Sequence, residues 1–322
     1  MGILYLILIF VGMYFVCVEL ERACADTAFR FGIPESIAGA TLLAVASSAP
    51  EFFTSFLGAV IHGVFDVGLI AILWSAIFNV TVLPGASALV SPKPLKVVPT
   101  VIKRDCVAYA ATALLLLGLI EDGTLSQIDA LILLGGYGLY VYVLFLMIGS
   151  KEGEDTEEGD EEDHSQPLWR TIAGLVVGIA AIGVLCHFMI EVGGDLAESF
   201  GISFLLVSAL VFAPGTSLPD LLLSTISARK GAGSASISNA FGSNSFDLTV
   251  CLAAPVLVVG DIQVQTGGTI TWSVWMLLGT VALTMFVVRT GYELTKLEGA
   301  ILVGTFVVLA VTQDSEGQEN QG

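Results

Sequence analysis

Two apolar runs in this chain, each long enough to cross a bilayer, carry a proline and a carboxylate near their middle. The first is Thr41-Leu-Leu-Ala-Val-Ala-Ser-Ser-Ala-Pro-Glu-Phe-Phe-Thr-Ser55. An ionisable side chain at that depth costs roughly 2.5–3.5 kcal/mol on insertion scales, so it needs a compensating partner. Pro50 has no N–H to give the carbonyl of Ala46, and its ring crowds that turn, so the helix is expected to break there. Freed carbonyls, Ser47, Ser48 and Glu51 then form an oxygen-rich spot near the midplane. Broken helices of this kind coordinate ions in secondary transporters.

The run has a twin. Ala213-Pro-Gly-Thr-Ser-Leu-Pro-Asp-Leu-Leu-Leu-Ser224 places Ser217 for Ser48, Pro219 for Pro50, Asp220 for Glu51 and Ser224 for Ser55. A second match follows each copy: Trp74-Ser-Ala-Ile-Phe-Asn79 and Gly242-Ser-Asn-Ser-Phe-Asp247. Asn79 lies 28 positions after Glu51, and Asp247 lies 27 after Asp220. Two linked matches at nearly equal spacing mark an internal duplication.

Of 322 residues, 55% are hydrophobic and 13% charged. Soluble domains carry about 25% charged residues, so this chain reads as an all-α polytopic membrane protein. The net charge of −18 says little about partners, because nine of the thirty acids lie in 150–167. The five cysteines are scattered without a C-x-x-C pair and read as small apolar residues. Ala23-Cys24-Ala25 looks like a signal-peptidase site, but no Lys or Arg precedes Arg22, so the first segment is read as a retained helix.

Ten apolar segments can be marked: 3–18, 36–61, 67–90, 105–120 and 128–149, then 168–190, 203–228, 234–259, 270–288 and 297–311. The domains follow: a first five-helix repeat over 1–149, an acidic linker over 150–167, a second repeat over 168–312, and a polar tail over 313–322. The linker cannot bury itself, is too short for a regulatory domain and lacks EF-hand spacing, so it reads as a disordered tether, and the tail reads the same way. All twelve basic residues fall on one face of a ten-helix arrangement. The positive-inside rule makes that face cytoplasmic and puts both termini outside a cell membrane. The repeats start at helices two and seven, both broken. An offset of five spans turns the second copy upside down, and inverted repeats with discontinuous helices describe a secondary transporter.

Ser75 and Asn79, like Ser243 and Asp247, are four apart and share a helix face. The candidate lining is Ser47, Ser48, Glu51, Ser75 and Asn79 from one half, with Thr216, Ser217, Asp220, Ser243 and Asp247 from the other. Every ligand is a hard oxygen, which favours Na⁺, K⁺, Ca²⁺ or Mg²⁺, with Mg²⁺ weaker because it sheds water reluctantly. Glu51 and Asp220 together balance a divalent ion. The partners are therefore inorganic cations and the bilayer, with no resident cofactor and no nucleic acid, and one chain holds the whole site. His62 and His187 read as interfacial residues at outer helix ends. Thr54, Ser55 and Ser224 read as helix-packing hydroxyls.

Ser-Ala-Pro-Glu-Phe-Phe-Thr-Ser with Ser-Ala-Ile-Phe-Asn, and Gly-Thr-Ser-Leu-Pro-Asp with Gly-Ser-Asn-Ser-Phe-Asp, resemble the two α-repeats of the cation/calcium exchanger superfamily. Asp220, Asp247 and Arg229-Lys-Gly231 are most similar to its potassium-dependent sodium/calcium branch. The resemblance implies Glu51 and Asp220 as Ca²⁺ carboxylates shared in turn with Na⁺. It implies Asn79, Ser48 and Ser217 as further ligands, with backbone carbonyls at Ala44 and Ala213. Asp247 is the position tied in that branch to K⁺ dependence. Three positions depart from the pattern: Trp74 stands where the family usually has Gly, a bulk able to narrow the pathway; Ser47 replaces Gly or Thr; and Ser245 replaces Ile.

The expected activity is Na⁺/Ca²⁺ antiport by alternating access, with K⁺ co-transport left open. A calcium/proton exchanger using the same carboxylates is the alternative, separated by sodium dependence. An intramembrane hydrolase built on Asp220 and Asp247 would leave Glu51 and the duplication unexplained, so the chain is not read as an enzyme. A passive channel would need no exchanged ion on the far side.

Overall fold

The computed structural model describes residues 2–33, 42–97, 106–148, 167–230, 242–264, 268–289 and 291–319. Nearly all of the acidic linker, with Lys103, Arg104 and Lys151, lies outside the described residues. The rest is a helical bundle. α1 (Gly2–Arg30) leads to a short helix α2 (Ala44–Ser47), then α3 (Ala49–Val60) and α4 (Phe65–Val90). α5 (Val107–Leu119) and α6 (Gln127–Ile148) follow. The second half runs α7 (Leu168–Phe200), α8 (Phe204–Val207), a π-helical turn (Ser208–Phe212), α9 (Ala213–Thr216) and α10 (Leu218–Lys230). A second π-helical turn (Asp247–Cys251) enters α11 (Leu252–Val259), and α12 (Thr269–Arg289) and α13 (Lys296–Glu319) close the chain.

α4 is apolar on every side, and such a helix must be surrounded by others. It packs on α3, α10, α12 and α13, and Leu69, Ile72, Trp74, Ile77 and Val80 are fully buried. Small residues let this centre close up. A Cβ on Gly68 would meet the Ser55 Cα at 2.5 Å, and one on Gly85 would meet the Gly299 carbonyl at 2.7 Å. Such close backbone approach is the usual basis of helix association in lipid. α1 and α7 pair along one flank, with Leu20 against Gly178, and turn Leu4, Leu8, Val176 and Val184 outward.

Two antiparallel ribbons tie the halves together. β1 (Leu95–Lys96) pairs with β4 (Glu293–Leu294), and β2 (Thr124–Leu125) with β3 (Ile262–Gln263). Lys93, Arg289 and Lys296 gather near the first ribbon, whereas Glu121, Asp122 and Asp261 lie near the second.

Among the described residues, eight helical spans are long and apolar enough to cross a membrane. The second and fourth expected spans fall outside that set. Their described parts are the 12-residue α3 beyond the break and the 13-residue α5, and residues 34–41 and 98–105 lie outside the described chain. Three helices outrun their apolar segments. α1 carries Arg22 within it, paired with Glu19 at 2.8 Å, so Arg22 is not in a connecting loop. α7 continues past residue 190 to Gly201, whose φ of 65° ends it with a left-handed cap. His187 therefore sits inside a helix rather than at its end. α13 runs to Glu319, so the tail expected to be disordered continues the last helix. In each case polar residues follow the apolar run within the same helix, and hydrophobicity does not see where they stop.

Gly68→Ala forces α3 and α4 apart and is expected to destabilise the protein by about 1–3 kcal/mol. Gly304→Ala, with open space around its Cβ, is expected to be neutral. Thermal unfolding followed by tryptophan fluorescence in detergent compares the two.

Candidate functional site

The two halves break their helices in the same way. Ser48 sits at φ −90°, ψ 9° between α2 and α3, and Ser217 at φ −83°, ψ 1° between α9 and α10. Pro50 and Pro219 each follow two residues later and remove the donor that would continue the ladder. Upstream, Ser47 Oγ donates to the Ala44 carbonyl at 3.4 Å and Thr216 Oγ1 to the Ala213 carbonyl at 3.1 Å. Those carbonyls also accept from the N–H of Ser48 and Ser217, at 2.9 and 3.2 Å. π-helical backbone precedes both stretches, at 42–43 and 208–212. π-turns of this sort cluster at functional sites.

The breaks deliver three carboxylates into the centre. Glu51 on the first turn of α3 is 2% exposed, Asp220 on the first turn of α10 is 5%, and Asp247 at the π-turn is 1%. Ser75, on α4, stands between the halves: its hydroxyl donates to Glu51 Oε1 at 3.1 Å and lies 2.7 Å from Ser217 Oγ. Ser48 and Thr216 are buried beside the two breaks. Asp220 is within electrostatic reach of both Glu51 and Asp247. Among the described residues no Lys, Arg or His pairs with any of the three.

Three buried acceptor atoms at this centre lack a hydrogen bond: Glu51 Oε2, Asn79 Oδ1 and Asp220 Oδ1. They come from three helices: α4, and α3 and α10, which each pack on it. Buried acceptors left unmatched in this way call for a cation or a proton. Among the described residues no three His, Cys, Asp or Glu side chains stand close enough to hold one metal ion. A bound ion would therefore draw most of its shell from hydroxyl, amide and backbone oxygens, which suits Na⁺, K⁺ or Ca²⁺.

Hydrogen bonds join Glu51, Ser75 and Ser217 across the two halves, and Asp220, Asn79, Thr216, Ser48 and Asp247 are all buried. Ser47 and Thr216 spend their protons on the Ala44 and Ala213 carbonyls, and Ser243 is buried one turn ahead of Asp247. Trp74 does not narrow this space. Its Nε1 donates to Ser273 on α12 at 3.0 Å and its ring meets Phe306 on α13 edge-on. Residue 74 is next to Ser75 but points to a different face of α4, because adjacent helical positions lie about 100° apart.

Asn244 escaped the sequence reading, although it lies within the second motif. Its Oδ1 accepts from Asn79 Nδ2 at 3.0 Å and its Nδ2 donates to the Ala76 carbonyl at 3.4 Å. Asn244 thus fixes the Asn79 amide with its oxygen as the free end. The available signal was that both motifs carry an amide, one turn out of register.

The family described as sodium/calcium exchanger protein matches residues 1–146 and 170–313. The putative antiporter CaxA of Alkalimonas amylolytica is 29% identical over 311 residues, covering 94% of this chain and 96% of that protein. Sodium/potassium/calcium exchanger 5 of Homo sapiens is 25% identical over 408 residues, covering 95% and 81%. The sodium-calcium exchanger NCX_Mj, soaked with Na⁺ and Sr²⁺, superposes with a TM-score of 0.67 at 22% identity over 95% of this chain and 97% of that one.

Asn244→Ala frees the Asn79 amide to rotate and is expected to weaken cation binding at the centre about tenfold, the effect of losing one buried hydrogen bond of about 1–3 kcal/mol. Equilibrium ⁴⁵Ca²⁺ binding to the purified variant checks this.

Proposed function

From the membership of this chain in the sodium/calcium exchanger protein family, we propose that it is a Na⁺/Ca²⁺ antiporter whose Glu51 and Asp220 are loaded alternately by one Ca²⁺ or by Na⁺. The observation that carries the proposal is the set of unmatched buried oxygens on Glu51, Asn79 and Asp220, with no cationic side chain to neutralise them. Two ionised carboxylates out of water cost several kcal/mol each unless paired. An empty centre therefore resists occlusion, and a loaded one does not. That asymmetry is what couples the two ions: the protein switches faces only when Ca²⁺ or Na⁺ balances the charge. Ser48, Ser75, Ser217, Asn79 and the Ala44 and Ala213 carbonyls complete the shell, while Ser47, Thr216 and Ser243 support it.

Asp247 adds a third carboxylate beside the pair, and we assign it to K⁺ co-transport. The twin breaks at Ser48 and Ser217 support two inverted repeats within ten spans. The reciprocal ribbons, β1 with β4 and β2 with β3, are what a two-fold axis in the membrane plane would generate. The basic ribbon is assigned to the cytoplasmic side of a cell membrane, with both termini opposite, and one chain suffices for transport.

Proteoliposomes loaded with Na⁺ and diluted into Na⁺-free medium are expected to take up Ca²⁺. Glu51→Gln or Asp220→Asn should reduce uptake to background with the protein still folded. Asp247→Asn should retain uptake but lose stimulation by external K⁺. Uptake driven by a proton gradient and indifferent to Na⁺ would transfer the same carboxylates to a calcium/proton exchanger.

A further inference from the structure

His62 and His187 lie 125 positions apart, yet His62 Nε2 and His187 Nδ1 face each other at 3.1 Å. The two rings are centred 5.0 Å apart and tilted by 32°. His62 is held in the turn that ends α3, where its N–H donates to the Leu57 carbonyl at 3.0 Å. His187 stands on α7, and its other nitrogen, Nε2, is 3.5 Å from Glu191 Oε1, one helical turn on. Both backbones are thus fixed before any ligand arrives. Eleven residues of nearly continuous helix separate His62 from Glu51, about 16 Å at 1.5 Å per residue, so this cluster is separate from the carboxylate centre.

From this geometry we propose that His62 and His187 form a binding site for a transition-metal dication of the Zn²⁺ class, bridging α3 to α7. A tetrahedral ion with bonds of about 2.0–2.1 Å holds its nitrogens about 3.3 Å apart, close to the spacing already present. Glu191, with Oε1 3.5 Å from Nε2, stands where carboxylates stand behind metal-bound histidines, on the far side of the ring from Nδ1, the atom that faces His62. Imidazole nitrogen selects Zn²⁺, Ni²⁺ or Cu²⁺ over Ca²⁺ or Mg²⁺, so the site does not compete with oxygen-bound cargo. Among the described residues no third His, Cys, Asp or Glu joins the pair as a direct ligand. The half-exposed position leaves the remaining coordination to water.

The test is titration of the purified full chain with Zn²⁺ alone, read by calorimetry and by the rise in thermal midpoint that binding to the folded state produces. One equivalent is expected to bind. His62→Ala and His187→Ala should each weaken it more than tenfold, and Glu191→Gln by about 10–100-fold, the range for loss of such a supporting carboxylate. His164→Ala, in the acidic stretch, should bind like the unmodified protein. Gel filtration and Ca²⁺ binding without Zn²⁺ should be unchanged in all four, which separates this outcome from misfolding and from failure of the transport site. If the unmodified protein takes up no Zn²⁺, or His62→Ala takes it up equally, the pair is a hydrogen bond between helices and the proposal is overturned.

Discussion

Burial of Glu51, Asp220 and Asp247 without a positive side chain is the constraint on which the rest of this molecule depends. In a bundle this apolar, each uncompensated charge is a penalty that local packing cannot remove. The Ser75 hydroxyl donates to Glu51, yet one oxygen on each of Glu51 and Asp220 remains unmatched. A protein built for stability alone would replace these groups with leucine. Their place beside two broken helices is what the proposed exchange uses: the missing counter-charge is proposed to come from solution.

The architecture serves that requirement. Breaking α2 from α3 at Ser48, and α9 from α10 at Ser217, places carboxylates on the first turn of a new helix, where backbone N–H groups favour negative charge. Close approach at Gly68 keeps α3 against α4, so Ser75 reaches Glu51 and Ser217 together. Asn244 holds Asn79 from the other half. The site is therefore shared between halves, and relative movement of the halves would remake it. That is the property an alternating-access device needs.

Much of this was legible in the residues. Proline next to a carboxylate inside a span-length apolar run has few stable explanations, and its recurrence with matched spacing located both breaks and the buried carboxylates beside them. Helix ends were not legible, because Glu19–Arg30 and the residues after Ile190 continue a helix without being apolar. Side-chain direction was also hidden. Trp74 and Ser75 are neighbours in sequence, but only packing against Ser273 and Phe306 shows that the indole leaves the centre. Asn244 went unnoticed because spacing within one helix cannot reveal a partner on another. The His62–His187 contact has no local signature, since it joins residues from opposite halves of the chain.

The central claim is that Ca²⁺ and Na⁺ compete for one set of oxygens that includes both Glu51 and Asp220. The most direct measurement is a Ca²⁺ titration of the detergent-purified protein at a series of Na⁺ concentrations, with choline holding the ionic strength. The account predicts that the apparent Ca²⁺ affinity falls more steeply than in proportion to Na⁺, because more than one Na⁺ is needed to replace a divalent charge. A Ca²⁺ affinity independent of Na⁺ would contradict it.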